Sequence, residues 1–129
     1  MYFRLRAKSA SMFLVGHEVS SCAHLSKPIS ASASITPGKL IVQFAQAFGT
    51  YLDGGRILVC RDTRPSGAMV RAGVMAGLLA AGCEVVDLEI CPTPTMQLAV
   101  QAFGAQGGIS ITAGHNPTEW NALKFVRAS

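Results

Sequence analysis

Residues 108–124 read GISITAGHNPTEWNALK, and this stretch predicts a strand followed by a sharp turn. Its first part, Gly108 to Thr112, alternates apolar and small polar residues, as short β-strands do. The chain should then turn, because Gly114 tolerates a positive φ angle and Pro117 keeps the residue before it out of the helical region. The turn offers a histidine and an asparagine near the end of a strand, where open α/β sheets bind their ligands.

Upstream of this stretch, helical and strand patterns alternate in a regular order. Apolar residues at helical spacing follow Thr36-Pro37, and this helix should end at Gly49 or at the Asp53-Gly54-Gly55 turn. The next elements are a strand at 56–60, a helix at 66–81 capped by Ser66, a strand at 84–90, a helix at 95–103 and a strand at 108–112. Alanines and glycines in the second helix should let it pack close to the sheet. This order predicts a three-layer α/β domain, in which a mainly parallel sheet carries helices on both faces.

A second turn, Arg61-Asp62-Thr63-Arg64-Pro65, lies where the strand at 56–60 gives way to a helix. Two guanidinium groups beside a helix N-terminus form a credible anion site. Equally, Asp62 could pair with a neighbouring arginine or accept bonds from nearby backbone amides. Because both turns follow parallel strands, we expect them at the same, C-terminal edge of the sheet.

Both turns resemble motifs of the phosphohexomutases, the superfamily that contains phosphoglucomutase, phosphomannomutase and phosphoglucosamine mutase. Thr112-Ala-Gly-His-Asn-Pro117 resembles the family's Thr-Ala-Ser-His-Asn-Pro loop, and Lys124 keeps the spacing of the family's lysine. Residues 60–64 resemble its Gly-Arg-Asp-Thr-Arg segment, with Cys60 in place of the glycine. The resemblance spans Ile35 to Val126 and implies the first, N-terminal α/β domain of such a mutase.

The resemblance implies roles for individual residues of the two turns. In the family, the loop serine carries the phosphoryl group that passes to and from the sugar, whereas this chain has Gly114 there. His115 and Lys124 match the remaining catalytic positions of that loop. The residues expected to bind substrate or phosphate are Arg61, Arg64 and Asn116. Hydroxyl groups elsewhere in the stretch should lie out of line for phosphoryl transfer; they belong to Ser110, Thr112 and Thr118.

Magnesium and a hexose phosphate are the cofactor and substrate that the resemblance implies for an intact phosphohexomutase. The family's aspartate-rich metal loop belongs to a second domain, and the aspartates here, Asp53, Asp62 and Asp87, are scattered along the sequence. Tight magnesium binding is therefore not expected in this chain. The family's sugar-recognition and phosphate-clamp domains also lie outside the matched part, together with the residues that select the hexose. These missing domains are candidate partners.

Three functional hypotheses follow. Without an acceptor serine, the chain is expected to be an inactive domain I of a phosphohexomutase. It could instead be a non-catalytic module that binds a sugar phosphate or another anion through Arg64, His115 and Lys124. The third hypothesis is a fragment from a broken reading frame, suggested by the unmatched first 34 residues and the stop after Ser129.

Residues 1–34 have the weakest pattern, and residues 35–129 are predicted to form the domain. The leader is basic and serine-rich but has no clear amphipathic helix, which favours a flexible segment over an organellar transit peptide. The family's first strand and its Ser/Thr-Gly-Ile-Arg-Gly loop have no recognisable counterpart ahead of Ile35. One strand of the sheet could therefore be lost.

Composition limits the class of protein. Half of the 129 residues are apolar, enough for one modest domain with its own core, and no apolar run reaches membrane-spanning length. The net charge of +4 comes mostly from the first 34 residues, so the domain lacks the basic stripe of a nucleic-acid binder. The four cysteines show no Cys-x-x-Cys spacing, which predicts buried thiols in a reducing cytoplasm.

Overall fold

The computed structural model describes residues 21–24 and 37–128, and this part of the chain contains five strands and three helices. In chain order they are β1 (Ser21–His24), α1 (Pro37–Tyr51), β2 (Gly55–Arg61), α2 (Gly67–Ala80), β3 (Cys83–Ile90), α3 (Thr93–Ala102), β4 (Gly107–Ile111) and β5 (Ala122–Arg127). Each element predicted between α1 and β4 is found, with ends that differ from the prediction by at most two residues. Among the described helices, none is long and apolar enough to cross a membrane.

The sheet has the strand order β1-β5-β4-β2-β3. Strands β3, β2 and β4 run parallel, with Leu58 of β2 opposite Val86 of β3 and Gly108 of β4. β5 lies antiparallel to β4, and β1 lies antiparallel to β5. The predicted α/β fold is confirmed. The sheet is mixed because the chain leaves β4 through a turn and returns directly beside it, which only an antiparallel strand can do.

Helices cover both faces of the sheet, as predicted. On one face α1 and α2 form a core with the strands, and its buried side chains include Ile41, Ile57, Val74, Leu78, Ile109 and Leu123. α3 covers the opposite face, where the buried cluster comprises Leu58, Cys60, Met96, Val100, Ala105 and Val126. Successive residues of β2 alternate between the two cores, as expected for a strand that is buried on both faces.

Glycines in α2 allow it to pack closely against α1, whereas the sequence predicted that its small residues would allow close packing against the sheet. A Cβ atom on Gly73 would lie 2.9 Å from Cγ2 of Ile41, and one on Gly77 would meet the carbonyl oxygen of Val42. The two helices therefore cross in close contact at these glycines. Ala72 and other alanines of the helix face the solvent.

Two strands, β5 and β1, were not predicted from the sequence. Most of β5 is buried on both faces, so the period-two alternation that reveals a strand is missing. β1 lies in the segment 1–34 that was expected to be flexible. Its sequence, Ser-Cys-Ala-His, has little strand preference of its own, so pairing with β5 defines the strand. The remainder of the predicted flexible segment lies outside the described residues.

Three cysteines, Cys60, Cys83 and Cys91, are free thiols. Cys60 and Cys83 are buried, as predicted, and Cys91 is half-buried. Burial raises the pKa of Cys60 to about 12, although a hydrogen bond with Ser110 opposes the shift. Burial also raises the pKa of Cys83.

Candidate functional site

Two turns lie together at the C-terminal edge of the parallel strands, as predicted. The arginine turn, residues 61–66, follows β2, and the histidine turn, residues 112–121, follows β4. Arg61 lies opposite Ile111 in the parallel ladder, so the turns begin side by side. The amide of Asp62 donates a hydrogen bond to the carbonyl oxygen of Ile111 at 3.0 Å and joins the two turns at their base.

The Arg64 side chain fills the space between the two turns. Its Nη1 donates to the carbonyl oxygens of Pro117 at 2.5 Å and Trp120 at 3.1 Å. Its Nη2 donates to those of Gly114 at 2.7 Å and Asn116 at 2.9 Å. The side chain is only 10% exposed. The arginine that was predicted to bind substrate thus contacts the backbone of the histidine turn.

Asp62 holds the Arg64 guanidinium in this orientation. Its Oδ2 accepts a bond from Nε of Arg64 at 2.8 Å, and its Oδ1 accepts one from the Arg64 backbone amide at 3.1 Å. The sequence left open whether Asp62 pairs with an arginine or accepts backbone bonds, and it does both. The carboxylate and the four carbonyl oxygens together surround the planar fork of the guanidinium.

A second connection between the turns involves a buried amide that the sequence analysis missed. Asn121 is 2% exposed, and its Nδ2 donates to Oγ of Ser66 at 3.0 Å. Its Oδ1 accepts the amide of Ala122, the first residue of β5, at 2.9 Å. Ser66 precedes α2 as predicted, but its side chain makes no capping bond. A polar residue directly ahead of the apolar Ala-Leu pair was the available signal.

The histidine turn places its backbone in a conformation that favours glycine. Gly114 has a φ angle of +60°, and its amide donates to Oγ1 of Thr112 at 3.2 Å. The carbonyl oxygen of Ala113 accepts two bonds from Asn116, from its amide at 3.2 Å and from Nδ2 at 2.8 Å. These local bonds give the turn its shape, and they use the Asn116 side chain within it.

Lys124 approaches the position where the family carries its serine. It lies in β5 opposite Ser110 of β4 and is half-buried. A Cβ atom built on Gly114 would lie 4.0 Å from Nζ of Lys124, and no other described residue beyond the two chain neighbours of Gly114 comes as close. His115 is the next residue of the turn and is exposed. The structure therefore brings Gly114, His115 and Lys124 together at one point of the edge.

Arg61 has contacts within its own turn and with the start of α2. Its Nη1 donates to the carbonyl oxygen of Asp62 at 3.1 Å, and its Cδ would lie 3.3 Å from a Cβ atom on Gly67. The side chain therefore lies over the first residue of α2. The two arginines of this turn have different contacts: Arg64 bonds to the histidine turn, and Arg61 lies against the start of α2.

The nearby hydroxyl groups already have partners. Ser110 is 1% exposed, and its Oγ lies 2.9 Å from Oγ1 of Thr93, on the α3 side of the sheet. Thr112 accepts the Gly114 amide, and Thr118 contacts Glu119 at 3.5 Å. None of the three lies at the position of the missing serine.

The carboxylates of the described residues do not suit a magnesium ion. No group of three or more histidine, cysteine or acidic side chains converges anywhere in residues 37–128. Asp62 is bonded to Arg64, and Asp87 forms an ion pair with Arg71. Magnesium is held by several oxygen ligands in near-octahedral geometry, which these separate, arginine-bound carboxylates cannot supply.

Comparison with known proteins places the two turns in a family. Residues 29–129 match the model of the phosphoglucomutase/phosphomannomutase alpha/beta/alpha domain I. A probable phosphoglucosamine mutase of Thermococcus kodakarensis is 41% identical over 95 residues, which cover 74% of this chain and 21% of that protein. A phosphoglucomutase/phosphomannomutase of the same organism is 45% identical over 101 residues, covering 74% and 22%. The chain thus spans about one fifth of the length of these relatives.

Solved structures agree with the sequence comparison. A putative phosphomannomutase from Thermus thermophilus superposes with a TM-score of 0.68 at 26% identity, over 98% of this chain and 26% of that one. A phosphoglucomutase/phosphomannomutase family protein from Burkholderia thailandensis gives 0.65 at 27% identity, over 84% and 24%. The chain therefore belongs to the phosphohexomutase superfamily of phosphoglucomutases and phosphomannomutases, and residues 29–129 correspond to its domain I.

Proposed function

We propose that this chain serves as domain I of an enzyme that moves phosphoryl groups on hexose phosphates, and that the chain alone is catalytically silent. The observation that carries the proposal is the environment of Gly114. A cation, Lys124, lies 4.0 Å from its Cβ position, yet no hydroxyl group occupies that position. The binding part of the loop is present and its phosphoryl acceptor is absent.

The chemistry explains why this absence is decisive. Phosphoryl transfer needs an acceptor oxygen in line with the leaving oxygen, and cations that neutralise the developing charge. Gly114 has no side chain that could accept a phosphoryl group. Removing a nucleophile alone lowers the rate of an enzyme by on the order of a million-fold. The site should therefore hold a phosphate without passing it on.

Each remaining group has a proposed role. Lys124 stabilises the negative charge of a phosphate beside position 114, and His115 contacts the sugar hydroxyls or moves their protons. Arg61 and Asn116 are proposed as further phosphate contacts at the rim of the site. The hydrogen bonds of Arg64 favour a different role for that side chain.

A domain exchange tests the proposal. Residues 35–129 replace domain I of an intact phosphohexomutase whose own arginine loop is kept ahead of them. Turnover is measured with a hexose 1-phosphate, magnesium and a hexose bisphosphate primer. We expect the unmutated graft and the isolated chain to be inactive, and the Gly114→Ser graft to be partly active. Recovery should be incomplete because serine tolerates the φ angle of +60° less well than glycine.

Gly114→Ala is the matched control for this exchange. It introduces the same backbone strain as Gly114→Ser but no hydroxyl group, so the alanine graft should stay inactive. Turnover by the unmutated graft that disappears in Lys124→Ala would refute the proposed silence.

A non-catalytic anion-binding module is the second candidate, favoured by the cation that remains beside Gly114. It predicts that the isolated chain binds inorganic phosphate and that Lys124→Gln weakens this binding. It also predicts that the Gly114→Ser graft binds the primer without becoming phosphorylated, which separates it from the first proposal.

A further inference from the structure

Four backbone carbonyl groups of the histidine turn converge on a single guanidinium. They belong to Gly114, Asn116, Pro117 and Trp120, and their oxygens lie 2.5 to 3.1 Å from the terminal nitrogens of Arg64. A guanidinium has five N–H donors, and the fifth is bonded to Asp62. Every donor of Arg64 is therefore used within the protein.

A substrate phosphate could bind Arg64 only by displacing some of these bonds. Each displaced bond would leave a carbonyl oxygen without its donor, and such unmet groups are costly where water cannot replace the lost partner. With 10% of the side chain exposed, water has little access to this guanidinium. The contacts thus oppose the role of phosphate ligand that the sequence suggested for Arg64.

The same contacts indicate how Arg64 stabilises the backbone of the histidine turn. Carbonyl oxygens carry partial negative charge, so a cluster of four repels itself unless a cation lies between them. A lysine would supply the charge but not the planar fork that reaches four oxygens at once. Asp62 fixes the rotation of that fork by bonding Nε at 2.8 Å.

We infer that Arg64, oriented by Asp62, is the positioning residue of the histidine turn. It fixes the backbone that carries position 114 and His115, and it is not a phosphate ligand. The importance of this role for catalysis rests on the proposed function, whereas the dependence of the turn on Arg64 does not.

Amide hydrogen exchange in the full chain tests the inference. The amides of Asn116 and Trp120 bond within the turn at 3.2 and 3.1 Å and report on its order. Arg64→Ala should speed their exchange at least tenfold, equivalent to the loss of roughly one net hydrogen bond, while amides of β4 keep their rates. Arg64→Lys should have nearly the same effect. Arg71→Lys, the same change in the Arg71–Asp87 pair, should leave the turn unchanged.

Chemical rescue distinguishes the effect of the planar guanidinium group from that of its positive charge. Guanidinium ions at a non-denaturing concentration should slow exchange of the turn amides in Arg64→Ala and have no such effect in Arg64→Lys. Parent-like exchange of the turn in Arg64→Ala or in Arg64→Lys would overturn the inference. So would equal acceleration in β4, because Arg64 would then stabilise only the whole fold.

Inorganic phosphate provides the remaining comparison. If Arg64→Ala abolished phosphate binding while exchange in the turn stayed unchanged, Arg64 would be a ligand and the inference would be wrong. All these rates are measured without turnover. An inactive Gly114→Ser graft would therefore count against the proposed function and leave the positioning role of Arg64 intact.

Discussion

Replacing Gly77 with alanine sets two opposing effects of known size against each other. Alanine is the better helix former, and in the interior of a helix the change from glycine stabilises by about 1 kcal/mol. Gly77, however, lies in α2 where this helix crosses α1. A Cβ atom there would meet the carbonyl oxygen of Val42, would lie 2.8 Å from Cβ of Ala45 and would lie 3.0 Å from the amide nitrogen of Gln46.

The steric effect should win. Two of the three neighbours are backbone atoms of α1, which cannot rotate away as a side chain can. Overpacking a core costs about 1 to 3 kcal/mol, and contacts with backbone lie at the upper end because a whole helix must shift. After the gain in helix propensity, Gly77→Ala should lower the free energy of unfolding by about 1 to 2 kcal/mol.

Gly38→Ala is the matched control in the other helix. Its Cβ atom would meet nothing within 4 Å, so this variant should be as stable as the parent or slightly more stable. Urea unfolding, followed by circular dichroism, gives both free energies. Gly77→Ala with parental stability would refute the close helix crossing, provided that Gly38→Ala behaves as expected.

Three further predictions concern buried or half-buried side chains, each measured by urea unfolding. Asn121→Ala removes the acceptor of the Ala122 amide and should destabilise by about 1 to 3 kcal/mol; parental stability would contradict this. Burial is the main reason why the pKa of the Cys60 thiol rises from 9.0 to about 12, so the folded state binds the thiol proton more tightly. The contribution of this thiol to the free energy of unfolding should be constant below pH 9 and fall between pH 9 and 12. The decrease in stability should be less steep in Cys60→Ala. Burial alone would raise the pKa of Asp87, but its bonds with Arg71 and the Glu89 amide lower it below 3.8. The stability that this carboxylate contributes should be lost as the pH falls through that lowered pKa. In Asp87→Asn, the free energy of unfolding should depend less on pH in this range.

Local pattern was sufficient to predict the elements from α1 to β4. Their apolar periodicity, glycine ends and prolines act over a few residues, so no knowledge of the fold was needed. β5 and β1 could not be predicted in this way. β5 is buried by contacts with both faces of the sheet, and β1 exists through its pairing with β5. Both depend on tertiary structure, which a local pattern does not contain.

The residues of the candidate site show the same difference between local and tertiary features. The spacing from Gly114 to Lys124 was visible in the sequence, and the structure brings the two together. The contacts of Arg64 were not visible, because they depend on which way the carbonyl groups of a distant turn point. The Asn121–Ser66 bond likewise joins residues 55 positions apart, so the sequence shows a polar residue ahead of an apolar pair but not its partner.

The most direct test of the central claim, that position 114 is the missing phosphoryl acceptor, is the phosphorylation state of the grafted domain. The Gly114→Ser, Gly114→Ala and unmutated grafts are incubated with a hexose bisphosphate and analysed by intact-mass spectrometry and peptide mapping. We predict one phosphoryl group on the Gly114→Ser graft, in the peptide that contains position 114, and none on the other two. A phosphoryl group on the unmutated graft, or on any other residue of Gly114→Ser, would contradict the account.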